Sequence, residues 1–230
     1  MTGLPATRYR ATRRGAQPVV FIEAVTSTNP SGGTSVNVAL PPNGQVGDLV
    51  VIFTGVYNGN ANVPSGWTLI AQTTNGSRAR ITTMQRILDG TEGATVTVTV
   101  TNNDSTVHAA CLFRGVNAAN PIDVSASNSA AATSSQVTPT VTTTAAVPVG
   151  LGLIVRAAAS YRAALSGNYT WPAGWTEVVD AQANTSGDPT LATLGVAVRT
   201  PTTVGAQGTV TATHTASQTY GAVTMGLRVK

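Results

Sequence analysis

One cysteine, one lysine and two histidines are all that this 230-residue chain carries of those three residue types. The lone Cys111 cannot close an intramolecular disulfide, and it leaves the redox compartment unmarked. Its setting, His108-Ala-Ala-Cys-Leu-Phe-Arg114, is an apolar strand pattern in which a free thiol behaves as a small core residue. His108 and His214 have no second His or Cys at ligand spacing, so neither a metal site nor a cofactor is expected. Charged residues make up only 10% of the chain, and no run approaches the roughly 20 apolar residues of a membrane span. The first twenty residues hold no apolar signal-peptide core, so neither a secretory signal nor a membrane anchor is expected. Leu, Lys and Glu are too scarce for a helical protein, and no window repeats apolar residues at i, i+3 and i+4.

Thr, Val, Ala, Gly and Ser dominate instead. β-branched side chains suit pleated strands and Gly supplies the turns between them. Strand patterns fall at 19–25, 35–40, 49–56, 67–71, 80–87, 95–101, 108–114, 136–142, 150–157, 175–179, 191–199, 208–213 and 220–229. Asn58-Gly59, Asn75-Gly76 and Asp89-Gly90 have the residues of type I′ hairpin turns. The stretch from Ser125 to Ser135 is almost wholly Ser, Ala, Asn and Thr, and reads as a crossover loop over the surface. Short strands with one apolar face need a second such face, which predicts an all-β fold of two packed antiparallel sheets.

An internal repeat sharpens that expectation. Val63-Pro-Ser-Gly-Trp67-Thr-Leu-Ile returns as Trp171-Pro-Ala-Gly-Trp175-Thr-Glu-Val, each copy after an apolar strand, Leu49-Val-Val-Ile-Phe-Thr or Leu151-Gly-Leu-Ile-Val-Arg. Gly93-Ala-Thr-Val-Thr-Val is answered by Gly205-Ala-Gln-Gly-Thr-Val, and His108-Ala-Ala-Cys by Tyr220-Gly-Ala-Val. The expected architecture is one domain, 19–230, with related halves at about 19–115 and 136–230 that share the strands of a single sandwich. A basic arm, residues 1–18, precedes it. Trp67 and Trp175, at matched positions, are expected as core anchors. Tyr57, Tyr161 and Trp171 lie in or beside loops after equivalent strands and are candidates for a surface or glycan contact.

The order of apolar strand, Pro-x-Gly-Trp-Thr, Thr-Val ladder, Phe-Arg-Gly-Val and Asn-Pro-Ile-Asp, followed by a degenerate second copy, resembles a family of duplicated, jelly-roll-like β-sandwich proteins. Its members occur among the structural and appendage proteins of tailed bacteriophages and among bacterial surface proteins. The likeness runs from about Val20 to Val229. It implies a non-enzymatic virion protein at the particle surface, such as a capsid decoration, head fibre or tail-appendage subunit, assembled as a homo-oligomer with a trimer favoured. The alternative it leaves open is a carbohydrate-binding or adhesin module on a cell or particle. The family supplies no catalytic residue, and Asp104, Ser105 and His108 are too close on one turn and strand to form a triad.

Twelve of the thirteen basic residues are Arg, and Arg8, Arg10, Arg13 and Arg14 precede the first acid, Glu23. The rest of the chain carries nine basic and nine acidic residues, which gives a nucleic-acid groove no electrostatic support. Those four arginines, with Leu4 and Tyr9, make the arm the candidate attachment device to other virion proteins, since guanidinium forks suit ordered docking on carboxylates.

Overall fold

The computed structural model describes residues 15–57, 59–73, 80–162, 168–183 and 191–230. Arm residues Leu4, Arg8, Tyr9, Arg10, Arg13 and Arg14 therefore lie outside the described residues. Regular structure among those described is entirely β. The first seven strands are β1 (Val20–Asn29), β2 (Ser35–Ala39), β3 (Leu49–Val56), β4 (Thr68–Gln72), β5 (Arg80–Ile87), β6 (Thr95–Thr99) and β7 (Thr106–Arg114). The next are β8 (Ile122–Thr138), β9 (Val141–Thr142), β10 (Leu153–Arg162), β11 (Tyr169–Thr170), β12 (Thr176–Gln182), β13 (Leu191–Arg199), β14 (Ala206–Gln207) and β15 (Val210–Leu227).

All ladders are antiparallel. One large sheet has the order β1-β7-β3-β5-β4. The other runs β8-β15-β10-β13-β12, with the two-residue β11 added at the start of β15. In each order the first strand in sequence stands at one edge, the last in sequence beside it, and the strand led by Pro-x-Gly-Trp at the other edge. A β-bulge falls in the same place in both Trp-led strands, between Leu69 and Ala71 and between Glu177 and Val179. The short ladders β2–β6 and β9–β14 complete the set.

The sheets lie face to face, with β3 over β10, β7 over β13, β5 over β15, β1 over β12 and β4 over β8. Leu49, Val51, Phe53, Cys111 and Phe113 meet Val155, Ala157, Leu194, Val196 and Met225 in one central cluster. The alternate residues of the first sheet, among them Val50, Ile52, Ala110 and Leu112, pack outward beneath Val36, Val38 and Val98 of β2–β6. With both faces covered, every residue of β3 is buried, which is why Leu-Val-Val-Ile-Phe-Thr-Gly-Val shows no alternation. Close approach at the β3–β10 crossing depends on glycine. A Cβ on Gly55 would meet Ala159 Cβ at 3.1 Å, and where β5 lies over β15 one on Gly221 would meet Ile81 N at 3.2 Å.

Several expectations change. Ser125 to Ser135 is no crossover loop: it lies inside β8, a 17-residue edge strand laddered along β15. An edge strand needs an apolar residue only where it faces the core, and small hydroxyl side chains satisfy the rest through water. Among the described residues no ladder pairs a strand of one large sheet with a strand of the other; the Val116–Val229 bridge and a few backbone bonds join their ends. Asp89-Gly90 closes no hairpin, because β5 and the following β6 belong to different ladders. Finally, His108 lies opposite Thr54 whereas Ala222 lies opposite Ala158, so the closing strands correspond two residues away from the His108–Tyr220 match. A shift of two keeps every side chain on its face, so the alternating pattern alone cannot detect it.

Candidate functional site

Leu49 and Leu153 hold the same place in their sheets, opposite Phe113 and Leu227. Eight residues on from each stands a tyrosine, and because β3 lies over β10 the two meet. The rings of Tyr57 and Tyr161 stack with centroids 3.4 Å apart and planes 24° from parallel. Both are half-buried, at the end of the sheets where β3 and β10 finish. The pair thus forms one aromatic cluster at the ends of β3 and β10, one strand from each large sheet.

Trp171, expected beside them at the surface, is buried instead. It packs on the outer face of the second sheet with Ala158, Ala197 and Tyr220. The sequence after it, Pro-Ala-Gly-Trp175, turns the chain so that Trp175 follows it onto that face, ring centroids 6.4 Å apart. Trp67 is buried in the corresponding place of the first half. Trp175 is half-buried, and two guanidiniums lie over its ring, Arg156 at 5.0 Å and Arg199 at 4.7 Å from the centroid. Arg156 is fully buried, with no carboxylate partner among the described residues. It donates instead to Thr138 Oγ1 (2.6 Å), to the carbonyls of Pro139 (3.2 Å) and Gln207 (3.3 Å), and to that of Gly208. These bonds tie the ends of β8 and β14 to the sheet. Burial, followed by repulsion from Arg199, lowers the Arg156 pKa to about 10.

No family model, curated protein or solved structure matches this chain. Chemistry therefore has to be read from the side chains. His108 is buried with Nδ1 3.0 Å from Thr54 Oγ1 and Nε2 2.9 Å from Thr106 Oγ1, so hydroxyls face both ring nitrogens. In the second half, Ser160 Oγ lies 2.9 Å from Tyr169 Oη and 2.7 Å from Thr193 Oγ1. Tyr169 also donates to Gln136 Oε1 at 3.2 Å, and His214 Nε2 stands 3.4 Å from Thr193. These side chains are all buried, and burial pushes the Tyr169 pKa up, so the hydroxyl stays protonated as a donor. The network pairs hydroxyl groups enclosed in the fold, though Gln136 Nε2 is left without an acceptor. No group of three His, Cys, Asp or Glu residues among those described could hold a metal, and no described helix could cross a membrane.

The structure thus unites Tyr57 with Tyr161, separates Trp171 from them, and adds Arg156 and Arg199, which the sequence reading passed over. Arg156 carried a signal: it ends the apolar run Leu151-Gly-Leu-Ile-Val-Arg at the place where Ile52 stands in the first half.

Proposed function

We propose that this chain is a non-enzymatic structural protein of a tailed-bacteriophage particle, a capsid decoration, head fibre or tail-appendage subunit anchored by its N-terminal arm. In this reading the body is a sandwich of two related halves, folded on an approximate internal two-fold that passes between β3 and β10. The observation that carries it is the repeated strand order, with Trp67 and Trp175, and Tyr57 and Tyr161, at the same places of the two sheets. That arrangement agrees with the duplicated sandwich family which the Pro-x-Gly-Trp motifs resemble. The charge pattern supports an arm that docks and a body that does not: four arginines before the first acid, then nine charges of each sign. A homo-oligomer, with three copies favoured, would cover the sheet edges β1 and β8, which otherwise invite strand addition. Labelling purified particles with an antibody to the body tests the reading. Decoration at one class of site on the surface is expected, and particles that lack the chain would overturn it.

A second reading, a glycan-binding or adhesin module, is favoured by the Tyr57–Tyr161 platform, because aromatic surfaces at a loop end suit sugar rings. Saturable binding on a glycan array, lost in Tyr57→Ala and in Tyr161→Ala, is its expected result.

A further inference from the structure

Each half sets an arginine at the same register position relative to its tryptophan-led strand and completes it differently. Arg86 lies opposite Val50 on β3, and Arg199 opposite Ile154 on β10. The residue before each, Gln85 or Val198, pairs with the threonine that follows the tryptophan of that half. Arg86 and Arg199 therefore occupy one position of the repeated sheet.

The first half neutralises its arginine from the loop that follows. Glu92 Oε1 accepts from Arg86 Nε at 2.9 Å, and Asp89 Oδ2 accepts from Nη2 at 3.1 Å. That loop is also self-organised, since Glu92 accepts from the backbone N–H groups of Asp89 and Gly90, each at 2.9 Å. In the second half Thr91-Glu92-Gly93-Ala94 is replaced by Thr203-Val204-Gly205-Ala206, and no acid stands between Arg199 and Ala206. Arg199 has no carboxylate partner among the described residues. Its Nε, the counterpart of the atom that Glu92 engages, is buried without an acceptor. Trp171 Nε1, on the ring 6.4 Å from that of Trp175, is a second such donor, in a residue only 9% exposed. Arg156 Nε, over the same Trp175 ring, is a third. Buried N–H groups are rarely left unpaired, so three of them around one ring, on or near two guanidiniums with no carboxylate partner among the described residues, suit an anion.

We propose that Arg199 anchors a docking site for an acidic peptide segment of a partner protein, whose carboxylate takes the position over Arg199 that Glu92 takes over Arg86. A peptide is favoured over an acidic sugar on two grounds. The first half fills the position with an Asp-Gly-Thr-Glu loop of this kind, and guanidiniums already lie over the Trp175 ring on which a sugar would stack. Val204, which stands in the sequence where the first half has Glu92, is exposed. The site stands whether or not the chain belongs to a particle.

The test is a titration of the ¹⁵N-labelled full chain with acetylated and amidated Asp-Gly-Thr-Glu, reading the Arg199 Nε–H and Trp171 Nε1–H resonances. Saturable shifts of both are expected. Binding should weaken at least about tenfold with the Asn-Gly-Thr-Gln peptide and with Arg199→Lys, which keeps the charge but not the fork. Val204→Glu, at an exposed position, should supply an internal carboxylate and abolish binding while leaving the fold intact. No saturable shift up to about 10 mM peptide, a weaker limit than one specific ion pair on a preformed site would set, overturns the proposal. So does an equal response to the amide peptide, unchanged binding in Val204→Glu, or a response to galacturonate without one to the peptide, which would mark an acidic-sugar site instead.

Discussion

Acid should loosen the first half of this protein through His108. The imidazole is wholly buried between Thr54 and Thr106, both ring nitrogens within 3.0 Å of a hydroxyl, and burial lowers its pKa from 6.5 to about 4. The folded pKa lies below the unfolded one, so the neutral ring contributes stability that is present above about pH 6.5 and is lost as the pH falls through about 4. A difference of about 2.5 units, at 1.36 kcal/mol each, makes the loss about 3 kcal/mol between pH 7 and pH 4. That is a large part of the roughly 5–15 kcal/mol by which domains are stable. Other groups titrate in the same range. Asp89 and Glu92, held below their ordinary values, lose stabilisation in the same direction, whereas Glu177 and Asp180, raised by burial, act in the opposite one. His108→Gln keeps the hydroxyl contacts and cannot titrate, so its urea unfolding curves from pH 7 to 4 supply the baseline. The wild-type chain should lose about 3 kcal/mol more than the variant over that range. Parallel pH profiles would refute the reasoning.

Trp67→Ala should destabilise by about 3–5 kcal/mol in urea unfolding, the usual cost of removing a large buried aromatic. Arg156→Met should cost at least about 2 kcal/mol, since it leaves several buried carbonyls without donors. Hydrogen exchange should quicken selectively around Thr138–Thr142 and Ala206–Val210. Cys111 is fully buried and its thiol pKa is pushed up by desolvation. It should ignore a thiol reagent in the native protein and react only at the rate of global unfolding.

The strands that the sequence made legible are those with a local signature. Pro-x-Gly-Trp fixes a turn and an anchor within four residues, and Leu49 to Phe53 is apolar throughout because both faces of the strand are covered. β8 was hidden because Ser, Ala and Thr serve an edge strand as well as they serve a loop, and only its ladder with β15 distinguishes the two. Tyr57 and Tyr161 could each be singled out by position. Their meeting depends on how the sheets cross, which Gly55 and Ala159 permit but do not announce. Trp171 was misplaced because aromatic loop residues are read as exposed, whereas its partner face, formed by Ala158, Ala197 and Ala222, is made of residues too small to advertise a pocket. Arg199 stood out only once the sheet register matched it to Arg86 and revealed what the second half lacks.

Attachment through the arm is the claim on which the proposed function rests. Its four arginines have no acidic neighbour before Glu23, so their carboxylate partners must lie on the body, on another copy or on another protein. Each charge-assisted bond contributes roughly 1.5–3 kcal/mol against about 1–2 kcal/mol of backbone entropy per ordered residue, so Leu4, Pro5 and Tyr9 must add buried contacts. The direct measurement is occupancy on purified particles of a chain that lacks residues 1–16, beside its melting temperature in isolation. The account predicts a folded body with a nearly unchanged Tm and no incorporation. Normal occupancy of the truncated chain would contradict it and move attachment to the edges of the sheets.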